Sequence, residues 1–186
     1  MKRTSRKKDS LWERWIESRF GLFLKRNAAV VRSLGIFIGV ILLFVVCLPL
    51  YRGFVNGPLP VAVAQSTGFV LRVFGVDAQV SGTAVASSIF SVDVIPACTG
   101  LFAYVFLFAA VCAYPCRWVQ KAIGVGLAFP AIYAINLIRM VSLFYIGAYL
   151  PRLFDAAHLL FWQSLMIASA VLIWLVWARR VSHVRR

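Results

Sequence analysis

The chain has 186 residues, of which 62% are hydrophobic and 14% are charged. Soluble domains are closer to half apolar, so this composition excludes an ordinary soluble protein and indicates an integral membrane protein. The formal net charge is +14, and ten of the 20 Lys and Arg residues lie in 1–32, two in 115–121 and four after residue 178. Positive charge confined to the tails and one loop is typical of the cytoplasmic segments of a membrane protein and argues against nucleic-acid binding.

The N-terminal segment, residues 1–32, is predicted to be a basic cytoplasmic tail. Aromatic and aliphatic residues recur at helical spacing within 10–27, which predicts an amphipathic helix on the anionic leaflet, and an unstructured solvated tail is the alternative. The first span is predicted over 34–50. A cleaved signal peptide is the rival interpretation, because Ala62-Val63-Ala64 resembles a cleavage site. The basic leader is too long for that, and the site lies too far past the apolar core.

Residues 52–96 are predicted to be an external segment. Residues 58–74 are apolar but include polar residues, and reading them as a span would place 75–97 in the cytoplasm. That stretch holds two Asp and no Lys or Arg, so an interfacial or re-entrant helix fits the charge rule better. Apolar and polar residues alternate from Val76, Gly82-Thr83 offers a turn, and Ile89 to Ile95 is rich in β-branched residues, which predicts a small hairpin within 76–95.

Three further spans are predicted over 97–114, 122–145 and 156–178, with a basic cytoplasmic tail over 179–186. The third helix is free to continue to about Leu150, where Pro151 would end it. Asp155 is a plausible N-cap of the last span. The fold class is therefore an all-α polytopic membrane protein with about four transmembrane helices and a small external hairpin or interfacial segment. Both termini are predicted to be cytoplasmic.

Charge spacing places three reactive side chains at one membrane depth. No Lys or Arg occurs in the 19 residues from Cys98 to Arg117, 18 residues separate Lys121 from Arg139, and 21 separate His158 from Arg179. At 1.5 Å of rise per residue, each stretch spans roughly 27–32 Å, the thickness of the hydrocarbon core. Cys98, Arg139 and His158 are therefore predicted to lie together near the outer face, where they would form a covalent-catalysis site.

Cys98 is the candidate nucleophile. It is predicted to lie in the first turn of the second span, where the helix dipole favours a thiolate. Thr99 would donate a hydrogen bond, and Gly100 would let a substrate backbone approach. A buried structural cysteine is the alternative role for a lone Cys. The four cysteines form no zinc pattern, since His158 and His183 are predicted on opposite sides of the membrane, and no cofactor or metal site is predicted.

Arg139 is the candidate oxyanion-binding group, because a charge near hydrocarbon is costly and is functional by default. Tyr133, Asn136 and Arg139 are spaced by three, so they form one polar stripe on an otherwise apolar helix. A stripe that points into the bundle would make Asn136 a partner of Arg139. A snorkelling interfacial Arg is the alternative.

His158 is the candidate general acid and base. A helix N-terminus disfavours imidazolium and keeps the ring ready to accept a proton. An interfacial His without a catalytic role is the alternative. Asp93 and Asp155 could orient His158 or pair with Arg139, but solvated loop or capping positions explain them as well.

These residues resemble the motifs of the exosortase/archaeosortase family. Family members carry a C-[ST]-G, an N-x-x-R and a downstream His, which match Cys98-Thr99-Gly100, Asn136 to Arg139, and His158. The resemblance covers roughly 66–175. Many family members have about eight spans, whereas this chain has room for about four, so it resembles a short branch of the family such as the exosortase H type. It implies that Cys98, Arg139 and His158 are catalytic.

The resemblance also implies the substrates, the activity and the location. The substrates would be exported proteins with a C-terminal motif, an apolar helix and a basic tail. The enzyme would cleave that signal through a Cys thioester and transfer the protein to an envelope acceptor, from a site on the outer side of a bacterial inner membrane. Lipids would be the other partners, and the substrate helix could dock on Gly124, Gly126 and Ala128.

Two other functions remain open from the residues alone. A non-catalytic subunit of an envelope-polymer assembly or export system would need neither thiol nor imidazole. A membrane thiol-redox protein would need a second outer-face cysteine, for which only Cys47 is available. The residues do not fix the acceptor, the recognition motif and cut site, the oligomeric state, or the choice between hydrolysis and transpeptidation.

Overall fold

The structure is a computed structural model that describes residues 26–183. The predicted amphipathic helix of the N-terminal tail therefore lies outside the described residues, apart from its last two positions. Six α-helices follow one another as α1 (Ala28–Cys47), α2 (Arg52–Asn56), α3 (Pro58–Val73), α4 (Leu101–Ala113), α5 (Trp118–Tyr149) and α6 (Gln163–His183). Short 3-10 turns occupy Leu48–Tyr51, Pro96–Cys98 and Pro151–Leu153, and a π-helical segment occupies Ala156–Trp162.

Three stretches of the described chain are long and apolar enough to cross a membrane, namely Ala28–Asn56, Trp118–Tyr149 and Ala156–His183. The all-α polytopic class is therefore confirmed. The predicted second span is shorter than expected, because α4 has only 13 residues and rises about 20 Å. It starts late because Pro96–Cys98 forms a 3-10 turn and Gly100 at φ 75° precedes the helix.

The third predicted span belongs to one continuous helix. Helix α5 has 32 residues, passes through Pro130 and ends at Tyr149, just before Pro151, as the possible extension to about Leu150 required. Helix α6 extends past the predicted span boundary to His183. Asp155 precedes the π-helical segment, but its backbone is helical and its side chain makes no capping hydrogen bond.

The predicted hairpin is present and is extended by a third strand. Strands β1 (Gln79–Ser81), β2 (Ala84–Ala86) and β3 (Ser91–Asp93) form an antiparallel sheet in the order β1-β2-β3. Gly82 adopts φ 60° in the turn between β1 and β2, a conformation that glycine takes at no steric cost. Helix α3 packs against β1 and β2, so it lies between the sheet and the bundle.

The buried residues form two groups. The helical cluster comprises Ala103, Leu107, Val111, Ala128, Ile132, Met166, Ala170, Trp177, Ala178 and Val181. The sheet cluster comprises Val63, Ala64, Leu71, Ala78, Val85, Val94, Cys98, Met140 and Phe144. Helix α1 contributes no buried residue to either group and contacts the bundle chiefly through α4.

Candidate active site

Cys98 lies at the end of the 3-10 turn that precedes α4, and not inside the helix as its sequence position suggested. Pro96 begins this turn, the Cys98 amide donates to the carbonyl of Ile95 at 2.8 Å, and the Thr99 hydroxyl donates to the carbonyl of Pro96 at 2.7 Å. The left-handed Gly100 then redirects the chain into α4. The side chain of Cys98 is 4% exposed, so the thiol is held in a defined position within the sheet cluster.

His158 is the direct partner of the Cys98 thiol. The Sγ atom of Cys98 lies 3.4 Å from Nε2 of His158, across 60 residues of sequence. The imidazole is half-buried and sits in the π-helical segment that leads into α6. Such segments are rare and often occur at functional sites. Sulfur and nitrogen are close enough for a proton to pass between them, which is the geometry that thiol activation requires.

Asn136 holds the main chain of Cys98. Its Nδ2 donates to the carbonyl oxygen of Cys98 at 3.0 Å, and its side chain is 1% exposed. A Cβ on Gly100 would lie 3.3 Å from the Asn136 amide, so a glycine at this position lets α5 approach the turn closely. Asn136 therefore contacts the Cys98 backbone, and no hydrogen bond joins it to Arg139 in the described structure. The expectation that it partners Arg139 is wrong.

Arg139 is buried without a counter-ion. Its side chain is 2% exposed, and its Nε has no hydrogen-bond partner. Within residues 26–183 no ion pair or side-chain hydrogen bond to the guanidinium is found. Its charge interacts electrostatically with both Cys98 and His158. A buried, unpaired charge lowers the stability of the folded state. Packing alone would therefore not select an arginine at position 139.

The polar stripe of α5 points into the bundle but divides between two tasks. The Tyr133 hydroxyl and the Ser66 hydroxyl lie 2.6 Å apart, so the Tyr133 hydroxyl joins α5 to α3. The Thr99 hydroxyl donates to the Pro96 carbonyl and is not directed at the thiol. The structure thus brings His158 to the thiol of Cys98 and Asn136 to its carbonyl, with Arg139 one turn of α5 beyond Asn136.

Two of the cavities formed by the described residues are lined by candidate catalytic side chains. The first, which we call the thiol cavity, has a volume of about 250 Å³ and is lined by Cys98, His158, Phe154, Met140, Leu143 and residues of the β3 region. Arg139 instead lines a second, more apolar cavity of about 320 Å³, together with Gly100 and Gln163. The predicted convergence of all three reactive groups on one space is therefore met directly only by the thiol and the imidazole.

Strand β3 contributes to the thiol cavity, and of its three residues only Asp93 was a candidate from the sequence. Ser91, Val92 and Asp93 all line the thiol cavity, and the signal that could have found them is their position just before the Ile95-Pro96 step that leads to Cys98. Asp93 and Asp155 are both exposed. Neither makes an ion pair with Arg139 or His158 in the part of the chain that the structure describes.

Several other candidate features have different roles. Cys47, Cys98 and Cys112 form no disulfide, so the Cys47–Cys98 bond of the redox hypothesis is absent. Gly124 faces Trp177 of α6 and Ala128 belongs to the helical cluster. Gly124 is therefore covered by Trp177, whereas Ala128, although buried, lines an apolar cavity of about 500 Å³ between α1, α4 and α5. Gly126 alone of these three small residues is exposed.

Comparison with known proteins adds one match. A family model described as transmembrane exosortase matches residues 20–177, which includes every candidate site residue. No curated protein and no solved structure matches the chain.

Proposed function

Since the chain belongs to the transmembrane exosortase family, we propose that it is a membrane-embedded cysteine peptidase or transpeptidase. It would cleave C-terminal sorting signals of exported proteins through a Cys98 thioester and transfer them to an envelope acceptor. The observation that carries the proposal is the 3.4 Å approach of Cys98 Sγ and His158 Nε2. A buried structural cysteine has no need of an imidazole held at that distance by a separate helix.

The proposed reaction uses one proton carrier. His158 Nε2 accepts the thiol proton while Cys98 Sγ forms a bond to the carbonyl carbon of the scissile peptide. Collapse of the tetrahedral intermediate breaks the carbon–nitrogen bond, and His158 returns the proton to the leaving amine. An acceptor nucleophile then gives its proton to His158, attacks the thioester carbonyl and releases the thiol. Water in place of the acceptor would give hydrolysis by the same steps.

Arg139 is proposed to act on this reaction through its charge. A nearby positive charge favours the thiolate over the thiol and stabilises the oxyanion of the tetrahedral intermediate. The described contacts support this role, because the guanidinium is buried, has no counter-ion and interacts electrostatically with the reacting pair.

The proposed orientation places the site on the outer side of a bacterial inner membrane with both termini in the cytoplasm. Helix α5 begins beside Arg117, and α6 ends beyond Arg179 and Arg180, whereas His158 lies at the opposite end of the last span. The positive-inside rule then assigns the ends with these arginines to the cytoplasm.

The decisive experiment uses an exported reporter that carries a candidate motif, apolar helix and basic tail. Co-expression with the wild-type protein should yield the processed reporter, and Cys98→Ala should abolish processing. Cys112→Ala is the matched control, because Cys112 lies in α4 away from His158 and should process normally. Capture of a reporter–enzyme thioester that hydroxylamine releases would confirm the chemistry. Unchanged processing by Cys98→Ala would favour the non-catalytic assembly subunit instead.

A further inference from the structure

We propose that the substrate segment around the scissile bond binds as an added fourth β-strand along the free edge of β3, in register with Cys98. This inference rests on the proposed function and names the conformation in which that site takes its substrate. It is carried by the hydrogen-bond pattern of the sheet and by the lining of the thiol cavity.

Strand β3 is an edge strand, and the hydrogen-bond pattern shows which of its backbone groups are unused. Val92 pairs with Val85 of β2, the Val94 amide donates to Thr83, and the Phe90 carbonyl accepts from Ser87. Backbone groups of successive residues in a strand point to opposite sides. Those of Ser91 and Asp93 therefore point away from β2, toward the open edge.

The open edge and the nucleophile share one space. Ser91, Val92 and Asp93 line the same cavity as Cys98 and His158, and only four residues separate Asp93 from Cys98. No strand of residues 26–183 pairs with β3 on this side. An added strand along Ser91 and Asp93 would thus run beside the thiol, with its backbone held by main-chain hydrogen bonds that do not depend on its sequence.

The accessibility of the scissile carbonyl distinguishes an extended substrate from a helical one. In an extended segment, the side chains alternate between the cavity and the opposite face. A peptide carbonyl is also more accessible to Sγ in an extended chain, because a helix uses its carbonyls internally.

Backbone substitutions at one position test the proposal directly. Asp93→Pro removes the edge-facing amide without removing a hydrogen bond to β2, which an edge strand tolerates. Asp93→Asn is the matched reference, because it removes the charge but keeps the amide. Asp93→Pro should process the reporter about three- to tenfold more slowly than Asp93→Asn, the value of a lost hydrogen bond. Equal loss in both variants would assign the effect to the carboxylate and overturn strand addition.

Cross-linking provides a second test that does not depend on activity. Ser91→Cys in the Cys98→Ala background is paired with reporters that carry single cysteines at successive positions of the motif. Strand addition predicts a maximum of disulfide formation at one position, weaker bonds two residues away on either side and none at the adjacent positions. Maxima three or four residues apart would show a bound helix, and uniform or absent cross-linking would also overturn the proposal. Reporter processing that depends on Cys98 in either case would leave the proposed function intact.

Discussion

The two buried clusters differ in what they leave unsatisfied. The helical cluster is assembled from apolar side chains of α4, α5 and α6, and the indole of Trp177 at its far end donates to the carbonyl of Gln120 at 3.2 Å. The unpartnered atom beside this cluster is the neutral indole nitrogen of Trp174. The sheet cluster contains Cys98, and beside it lie the unpartnered Asn136 Oδ1 and the charged Arg139 Nε. Both clusters are joined by one buried row of α5 residues, namely Ala128, Ile132, Asn136, Met140 and Phe144.

This difference separates stability from chemistry along a single helix. An unpartnered polar atom destabilises a fold, and a charged group costs more than a neutral indole, so the guanidinium at one end of α5 marks where the protein gives up the most stability. Substitutions at the sheet end should therefore reduce activity more than stability, and substitutions at the helical end should do the reverse. Each prediction below tests that division, starting with the largest expected effect.

Loss of the imidazole should cost the most. His158→Gln keeps a hydrogen-bonding side chain of similar size but removes the proton carrier, so processing should fall by about 10²–10⁴-fold, with little change in thermal stability because the ring is only half-buried. The measurement is the initial rate of reporter processing at equal membrane abundance. Processing within threefold of wild type would remove His158 from the reaction and weaken the chemical assignment of the sheet end.

Arg139→Met should have effects of opposite sign on activity and stability. Loss of the charge should reduce processing by about 10²–10³-fold, as for removal of an oxyanion-stabilising group. Replacing a buried, unpaired charge by an apolar side chain of similar volume is often neutral or stabilising by about 1–4 kcal/mol. The measurements are the processing rate and the melting temperature in detergent.

The exposed Arg152 provides the control for Arg139. Arg152→Met removes the same charge outside the protein interior and should alter neither quantity appreciably. Marked destabilisation by Arg139→Met, without a specific effect on processing, would show that Arg139 is a structural residue whose partner lies outside the described contacts.

Asn136 and Tyr133 offer a comparison within the polar stripe of α5. Asn136→Ala breaks the bond to the Cys98 carbonyl and frees the 3-10 turn, so processing should fall by roughly tenfold, equivalent to about 1.4 kcal/mol of positioning. Tyr133→Phe breaks only the bond to Ser66 and should lower stability by about 0.5–1.5 kcal/mol, with normal processing. A larger loss of processing in Tyr133→Phe would show that the site extends to α3.

The polar stripe of α5 also shows how much of this site the sequence could predict. A constant rise per residue converts spacing into depth, so the counts between charges predict one level of the membrane for Cys98, Arg139 and His158. They do not fix the direction in which each side chain points around its helix, which depends on tertiary packing. Tyr133 therefore reaches Ser66, and Arg139 lines a different cavity from the thiol, although both lie on the predicted stripe.

The local backbone conformation of Cys98 was also not predicted from the sequence. Pro96 and Gly100 signal a break, but only the packing of Asn136 against Gly100 fixes Cys98 in a turn before α4. The strand content of this region was easier to predict, because Ile89 to Ile95 is rich in β-branched residues and contains β3. The number of strands was not predicted, because pairing of β2 with both β1 and β3 depends on tertiary packing.

Glycines at the helical end give the smallest but cleanest test of the division. A Cβ on Gly124 would lie 2.6 Å from the Trp177 indole, whereas one on Gly126 meets no atom within 4 Å. Gly124→Ala should thus displace Trp177 and destabilise the protein by about 1–3 kcal/mol, while Gly126→Ala should be neutral or stabilise it by up to about 1 kcal/mol through helix propensity. Processing per folded molecule should be normal in both variants. A loss of processing in Gly124→Ala that exceeds its loss of folded protein would show that the two ends of α5 are coupled, because a scaffold independent of the chemistry changes only how much enzyme is folded.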